Sequence, residues 1–361
     1  MRYSYLNHEL LPLRASKTVR DINIFINLDN FFHRLHSSTT NNEFQMYGNN
    51  AAAQMVGNII NLIGHYKHWA IKEHLHPKIF IYYTNSEVFK NNIIIPEYRN
   101  YYLSEMQLLN DKYYNINRAI LDAQKLLPVI TKYLPNIYGI NTSYIEPSII
   151  PYYLSQKFPA QLNLLVTRDQ YEMQYSYLDN WVLLLPAGDN SKIITRGNLW
   201  LYIKEREKIT SDYHFSAEAY LIAKTILGDK YRSIPKLVRI SWKKMIEYLE
   251  KLNVTEDNSR LFEITKNHFE KFIESKKIEN TSFNNNMYCT SVQHQADSLL
   301  LADKIILDNQ IEDMYDINGL QSLCNSAFRL IPINLPFVLT ELPSKLDEPH
   351  DKYFWEKRKK G

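Results

Sequence analysis

Four acidic residues follow short apolar runs or stand in a turn, and acids at such places can hold a divalent cation. Asp29 follows the run INIFINL, and Asp169 follows the run LNLLVT. Glu146 comes a few residues after a third apolar run, and Asp229 lies in a turn between two helical stretches. Carboxylate oxygens are the hard ligands that Mg²⁺ prefers. The pattern predicts a metal site if the fold brings these four acids together.

Short apolar runs alternate with helical stretches over roughly the first 195 residues. INIFINL, KIFIYY, NIYGI, LNLLVT and NWVLLLPA are five candidate strands, and a long stretch at 51–73 has apolar residues at helical spacing. This alternation predicts the α/β class, with a parallel sheet flanked by helices. Residues that follow parallel strands meet at one edge of the sheet. The second half of the chain is predicted to be mostly helical, with a polar loop or linker at 277–291.

Composition narrows the possible partners and compartment. The 361 residues are 45% hydrophobic, which is enough for a sizeable core in one large domain or two smaller ones. The net charge of only +3 means that an anionic partner needs a local basic patch. The two cysteines, Cys289 and Cys324, favour an intracellular, reducing compartment over a disulfide framework. No apolar run approaches about 18–20 residues, so no membrane partner is expected. The abundance of Tyr, Asn, Ile and Lys is typical of an AT-rich coding genome, such as that of a virus or phage.

Five segments, in order, resemble the 5′-nuclease superfamily of flap endonucleases, phage 5′–3′ exonucleases and their PIN-domain relatives. LDNFFHRLH resembles the first acid and its basic helix, and IIIPEYRNYYLSE resembles the segment that faces DNA phosphates. YIEPSIIPYYLSQ and LLVTRDQYEMQY resemble the two acid clusters, and ILGDKYRSIPKLVRIS resembles the DNA-binding turn. The resemblance runs from about residue 20 to about 255. It implies a PIN-like α/β domain over 20–195, a helical region with a degenerate helix-turn-helix element over 196–275, and a C-terminal extension of unknown role over 276–361.

The motifs depart from this family by keeping at most one acid each. The family uses its carboxylates to hold two divalent ions. Thr84 stands at the second-strand acid, and Ile149, Tyr171 and Arg232 stand where further acids would be. An arginine at such a place repels a metal ion. The resemblance therefore implies an impaired site, whose residual ligands for Mg²⁺ or Mn²⁺, if it is active, would be Asp29, Glu146, Asp169 and Asp229.

The turn has lost the glycines that the family uses. In the family, main-chain N–H groups of a glycine-rich turn bind the backbone of duplex DNA. The corresponding positions here are Lys236, Arg239 and Ser241, so close main-chain approach is impaired. A cluster of cations can still hold phosphates by charge. The predicted nucleic-acid-binding residues are Arg34, Arg99, Lys230, Arg232, Lys236, Arg239, Lys243 and Lys244.

Each of these features also has a purely structural interpretation. Asp29 and Asp169 are favoured residue types for capping a helix. Glu146 precedes Pro147, which suits the first position of a helix. Asp229 is also typical of an ordinary loop, and the basic run after it is typical of a solvated helix face.

Three functions are compatible with the sequence. The favoured one is a catalytically impaired 5′-nuclease-like protein, a DNA-binding or assembly component, with DNA and viral or phage proteins as partners in an infected-cell cytoplasm or a virion. The second is an active Mg²⁺-dependent 5′–3′ exonuclease or flap endonuclease with a minimal carboxylate site. The third is an unrelated α/β structural or interaction protein. The number of carboxylates at the site discriminates between the first two functions. The topology of the sheet discriminates the third function from the other two.

Overall fold

The protein forms a six-stranded sheet with helices on both faces. The computed structural model describes residues 20–29, 31, 51–84, 89–101, 103–104, 107, 114–142, 145–186, 191–210, 217–251 and 270–292. The strands are β1 Arg20–Asn27, β2 Leu75–Thr84, β3 Ile137–Thr142, β4 Leu162–Val166, β5 Trp181–Leu185 and β6 Lys192–Ile194. The helices are α1 Ala51–Lys72, α2 Tyr114–Thr131, α3 Ile150–Lys157, α4 Leu199–Arg206, α5 Ala217–Leu227, α6 Trp242–Lys251 and α7 Asn280–Thr290. The described residues also contain three short 3₁₀ segments, Lys90–Ile93, Pro147–Ile149 and Tyr171–Tyr177.

The sheet has the order β3-β2-β1-β4-β5-β6, and its first five strands are parallel. The predicted α/β class with a parallel sheet is therefore confirmed. Strand β6 pairs antiparallel with β5 at one edge, and its three residues were too few to stand out as a run in the sequence. Among the described helices, none combines the length and the apolar character needed to cross a bilayer.

The two faces of the sheet bury alternate residues of each strand. Ile24 of β1 packs into the core formed with α1 and α2, and its neighbour Phe25 packs into the core on the other face. Phe25 stacks on Phe80 of β2 and on Trp181 of β5, with ring centroids 5.2 and 5.4 Å apart. Because both faces are covered, the central residues of the strands are mostly apolar and the strands are packed on both sides. Strands packed in this way fix the positions of the residues that follow them.

Helix α7 occupies the segment that the sequence predicted to be a polar loop or linker, so that prediction is wrong. The Nδ2 of Asn286 donates to the carbonyl oxygens of Thr225 and Pro235, at 3.0 and 2.7 Å. Cys289, also on α7, is fully buried. Asn286 is buried because its amide satisfies backbone groups of α5 and of the turn after it, which a pattern based on hydrophobicity does not detect. Helix α7 thus braces the turn.

The turn between α5 and α6 is fixed by its own backbone. Gly228 has a φ of 68°, and an added Cβ there would lie 2.7 Å from the carbonyl oxygen of Pro235. Asp229 and Ile234 exchange two backbone hydrogen bonds of 3.0 and 2.9 Å. Only glycine adopts this conformation in so little space without strain. The residues between 229 and 234 are therefore presented in one defined arrangement.

Candidate functional site

A cavity of about 320 Å³ lies at the carboxyl edge of the sheet, beside the ends of β1 and β4. Three of the predicted acids, Asp29, Asp169 and Asp229, line it. The fourth, Glu146, is buried and contacts two arginines that also line the cavity. The structure thus brings together the four acids that the sequence singled out, because the parallel strands end at one edge.

Glu146 is held by two guanidinium groups. Arg99 donates from Nε to Oε2 at 3.0 Å and from Nη2 to Oε1 at 2.5 Å, which is the bidentate geometry of a strong ion pair. Arg232 places Nη1 2.5 Å from Oε1. Burial alone would raise the pKa of Glu146, but the two guanidiniums outweigh it and hold that pKa well below its ordinary value. Glu146 is therefore a permanent carboxylate at neutral pH.

Arg232 also binds Asp169, so that one guanidinium joins two of the four acids. Its Nη2 donates to Oδ2 of Asp169, and its Nη1 donates to the hydroxyl of Tyr98 at 3.1 Å. The guanidinium carbon lies 3.9 Å from the centroid of the Tyr171 ring. Arg232 and Tyr171 are two of the residues that the sequence resemblance placed where acids were expected, and they pack against each other. The two replacements form one structural unit.

Asp229 is paired with a cation that the sequence did not point to. Lys224 of α5 donates from Nζ to Oδ2 of Asp229 at 2.9 Å, and the backbone N–H of Arg232 donates to Oδ1 at 3.2 Å. Burial would raise the pKa of Asp229, but the charges of Lys224 and Arg232 lower it below its ordinary value. Lys224 lies one helical turn before Gly228, so its ammonium lies within reach of the turn.

Of the four acids, Asp29 makes no ion pair with the residues that the structure describes. Its Oδ1 accepts a hydrogen bond from the backbone N–H of Thr84 at 3.1 Å, and its buried Oδ2 has no hydrogen-bond partner among the residues that the structure describes. Burial raises the pKa of Asp29 to about 7, against the opposing charge of Arg99. Thr84, which the sequence resemblance placed at a second-strand acid position, contacts Asp29 through its backbone N–H.

Glu172 is a fifth acid of the site, and sequence reasoning missed it. It is fully buried and accepts hydrogen bonds from Asn27 Nδ2 at 2.9 Å, from the Tyr82 hydroxyl at 2.7 Å and from the Thr167 hydroxyl. Burial, and next the charge of Asp169, raise the pKa of Glu172 to about 8. A carboxyl group with neutral partners is the kind that stays protonated in the interior. Its signal in the sequence is an acid between Tyr171 and Met173, six residues after the end of the buried strand β4.

The donor set does not fit a two-metal centre. Glu146, Asp169 and Asp229 are each bound to a protein cation, and the described residues contain no group of three His, Cys, Asp or Glu that could hold a metal ion. Of the predicted metal ligands, Asp29 has one oxygen, Oδ2, without a hydrogen bond to a described residue, and the side chain of Asp169 is 26% exposed at the cavity. A divalent ion placed there would face the repulsion of the Arg232 guanidinium. Beside the cavity lies an ionic cluster in which the three acids Glu146, Asp169 and Asp229 are paired with the cations Arg99, Arg232 and Lys224.

Solved structures with this architecture exist. A pseudo-enzyme form of the flap endonuclease of bacteriophage T5, in a product complex with DNA and metal ions, has a TM-score of 0.53 at 10% identity, over 80% of this chain and 98% of that chain. A bacteriophage T5 protein co-crystallised with metal ions has a TM-score of 0.52 at 11% identity, with the same shares of both chains. The chain has the 5′-nuclease fold. No protein-family model matches the sequence, and neither does any curated protein.

Within this 5′-nuclease fold, the predicted nucleic-acid-binding residues divide into two groups. Arg99 and Arg232 are 6% and 3% exposed, because the carboxylates draw them inward, so they differ from the phosphate-facing surface position that the sequence led us to expect. Arg34 lies outside the described residues. The others are exposed on the turn and at the start of α6, where their role in binding stays a prediction; they are Lys230, Lys236, Arg239, Lys243 and Lys244.

Two of the structural interpretations also hold in part. Asp169 Oδ1 accepts a hydrogen bond from the backbone N–H of Tyr171 at 2.9 Å, so Asp169 holds the start of the 3₁₀ segment, whose N-cap is Gln170, while it binds Arg232. Glu146 stands at the N-cap position before Pro147 but makes no side-chain capping hydrogen bond. Its carboxylate is turned to the arginines instead, so the local role does not account for it.

Proposed function

We propose that this protein is a catalytically impaired 5′-nuclease-like protein that acts as a DNA-binding or assembly component. The observation that carries the proposal is the guanidinium of Arg232, which is bound by both Glu146 and Asp169. In a metal-dependent nuclease those carboxylates would be free to bind a divalent ion. Here a cation that belongs to the chain already neutralises them.

The loss of metal sites removes the chemistry of a two-metal nuclease. Such an enzyme needs one ion to generate hydroxide and both ions to neutralise charge on the reacting phosphate. A guanidinium supplies positive charge but cannot lower the pKa of a bound water as a metal does. Electrostatic stabilisation of the transition state is the largest single contribution in most enzymes, so its loss reduces rates by orders of magnitude.

Binding of DNA is supported by two observations. The bacteriophage T5 flap endonuclease, whose structure matches over 80% of this chain, was solved in complex with DNA. The exposed cations from Lys230 to Lys244 provide charge for phosphates, at about one salt-dependent contact per cation. Viral or phage proteins as further partners, and an intracellular or virion location, are part of the same proposal and rest on composition.

One observation favours a second candidate, the active nuclease with a minimal site. The Oδ2 of Asp29 is buried without a hydrogen-bond partner among the described residues, and Asp29 and Asp169 line the same cavity. Mg²⁺ binds with one or two carboxylates when a substrate phosphate completes its ligands. The third candidate, an unrelated α/β protein, is removed by the shared fold.

A cleavage assay separates the two remaining candidates. Purified protein is incubated with 5′-flap and single-stranded DNA in Mg²⁺ or Mn²⁺, beside the double variant Asp29→Ala, Asp169→Ala. We expect no metal-dependent cleavage by the parent. Cleavage by the parent that disappears in the double variant would overturn the impaired-enzyme proposal and establish the minimal site.

A binding assay tests the other half of the proposal. Replacement of Lys236 and Arg239 by Ala should weaken DNA binding and lower its salt dependence by about one unit per lost phosphate contact. The matched control is Lys125→Ala, an exposed lysine on α2 that lies outside the turn. Equal affinity and equal salt dependence in the parent and the double variant would exclude the turn as the DNA-binding surface.

A further inference from the structure

Helix α2 carries two exposed aliphatic side chains on the side that faces away from the core. Leu121 is 53% exposed and Val129 is 42% exposed, while Ala123, Leu127 and Ile130 of the same helix pack into the core. Leu121 and Val129 are eight residues apart, which is about 12 Å along the helix axis. Single exposed aliphatic residues need no explanation by themselves. These two are informative because of the charges beside them.

Two exposed cations alternate with these aliphatic side chains along α2. Arg118 precedes Leu121 by three residues, and Lys125 precedes Val129 by four, so each cation lies beside its aliphatic neighbour on the helix surface. Arg118 is exposed, and the side chain of Lys125 is 76% exposed. Oδ1 of Asp122 lies 3.8 Å from Nζ of Lys125, but an exposed pair at that distance contributes little and leaves Lys125 available to a partner. We call Arg118, Leu121, Lys125 and Val129 the outer face of α2.

Helix α2 continues through Pro128, which lies inside it. Proline has no N–H, so the carbonyl oxygen of Gln124, four residues earlier, loses its ordinary helical hydrogen bond. The hydroxyl of Tyr83 on β2 donates to that oxygen instead, at 2.6 Å. Tyr83 is fully buried, so this hydrogen bond is made on the core side of the helix. The outer face of α2 is therefore held in shape before a partner binds, which lowers the cost of ordering it.

The charges of the outer face indicate which kind of molecule covers it. A second copy of the chain, related by a two-fold axis at the middle of this face, would bring the two Lys125 side chains together, and like charges repel. A nucleic acid would gain nothing from the aliphatic side chains, and Asp122 would repel its phosphates. A protein segment with carboxylates about 10 Å apart, opposite Arg118 and Lys125, and with aliphatic side chains beside them complements both features.

We infer that the outer face of α2 is a docking site for an acidic amphipathic helix of another protein. The aliphatic side chains of that helix pack on Leu121 and Val129, and its carboxylates pair with Arg118 and Lys125, as in complexes where the apolar face of a helix supplies the anchors. The inference rests on the assembly role in the proposed function and adds a surface and a class of partner to it. It does not depend on DNA binding, because the cavity is lined by residues outside α2.

The test uses two synthetic helical peptides labelled with fluorescein. The first has leucines eight residues apart and glutamates at seven-residue intervals, and the second has lysine in place of each glutamate. By fluorescence anisotropy, the full chain should bind the glutamate peptide at least about tenfold more tightly than the lysine peptide. Lys125→Glu should reduce or reverse this preference, and Leu121→Gln should weaken binding of the glutamate peptide about fivefold or more. Both residues are exposed, so the circular dichroism spectra should not change.

The matched control is Lys271→Glu, a charge reversal at an exposed lysine outside α2, which should bind both peptides as the parent does. Equal binding of the two peptides by the parent, or an affinity for the glutamate peptide that neither α2 variant changes, would overturn the inference. Light scattering tests the second copy: a dimer of the parent that Leu121→Gln dissociates would assign the outer face to self-association instead.

DNA binding is measured on the same proteins, and Lys125→Glu should leave it unchanged. A loss of DNA affinity in Lys125→Glu without a change in peptide binding would assign the outer face to nucleic acid and overturn the inference. If the parent binds DNA but neither peptide, the docking site is refuted while the DNA-binding function stands. If the parent binds the glutamate peptide selectively but no DNA, the docking site stands and the DNA-binding function fails.

Discussion

Replacement of Arg232 by Met should strongly destabilise the protein, because it removes the cation between two carboxylates and keeps a side chain of similar length. Arg232 is 3% exposed and binds Glu146 and Asp169. Removal of one partner from a buried ion pair costs about 3–5 kcal/mol, since the charge left behind has lost its compensation. Glu146 keeps Arg99, so the charge left without an ion pair is chiefly that of Asp169.

This loss is large relative to the stability of a typical domain. Domains unfold with about 5–15 kcal/mol, so 3–5 kcal/mol is roughly a fifth or more of that free energy. With a urea slope of about 3 kcal/mol per molar, the midpoint of unfolding falls by roughly 1–2 M. The measurement is urea unfolding followed by tryptophan fluorescence and circular dichroism. The control is Lys236→Met, an exposed residue of the same turn, which should change the free energy of unfolding by about 0.5 kcal/mol or less.

The cause of the loss is tested by a second substitution. If the uncompensated charge of Asp169 destabilises Arg232→Met, then Asp169→Asn should restore part of the free energy of unfolding in that background, although it removes a partner in the parent. A free energy of unfolding for Arg232→Met within about 1 kcal/mol of the parent, with an unchanged urea slope, would refute the buried ionic cluster.

Two further changes test the interior acid and the turn. In the parent, the folded pKa of Glu172 is about 8, above the ordinary value of 4.5, so between these values the folded state keeps a proton that the unfolded chain releases. The stability of the parent should therefore fall as pH rises from about 5 to 8, and Glu172→Gln should flatten this dependence. The urea midpoints of Glu172→Gln at pH 5 and pH 8 should differ less than those of the parent and of the exposed control Glu247→Gln. Equal differences in all three proteins would contradict this prediction. Gly228→Ala should lower the free energy of unfolding by more than about 1 kcal/mol. Residue 228 has a φ of 68°, and the added Cβ would lie 2.7 Å from the carbonyl oxygen of Pro235. Gly197→Ala, with open space around it, should change it by less than about 0.5 kcal/mol, and matching unfolding midpoints for the two alanine variants would refute the strain in the turn.

The sheet and the gathering of acids were predictable because both depend on short-range patterns. A buried parallel strand is an apolar run, and the run that predicted β2 at 78–83 lies within the observed Leu75–Thr84. An acid directly after such a run lies at the carboxyl edge whatever the rest of the chain does. Asp29 and Asp169 could therefore be placed beside one cavity from sequence alone, and the structure puts both there.

The direction of a side chain in the turn could not be predicted in the same way. Lys230, Tyr231 and Arg232 are consecutive, yet the first two are exposed and the third is buried. These directions follow from the left-handed conformation of Gly228 and from the backbone hydrogen bonds between Asp229 and Ile234. Both features depend on contacts across the turn. A basic residue looks the same in a sequence whether it faces a phosphate or a buried carboxylate. The sequence consequently placed Arg232 on a surface that it does not occupy.

The ionic cluster gives a physical reason for finding Tyr171 and Arg232 together at positions where the sequence resemblance led us to expect acids. Without a cation at position 232, Asp169 would lose its ion-pair partner and Glu146 would keep only Arg99, at a cost of several kcal/mol. Arg232 supplies that cation, and Tyr171 supplies an aromatic face 3.9 Å from the guanidinium carbon, which fixes its position. A divalent ion could bind Glu146 only by displacing Arg232 and leaving the guanidinium buried without its partners. The interactions that stabilise this site thus oppose metal binding, so a change that restored metal affinity would have to begin by removing Arg232.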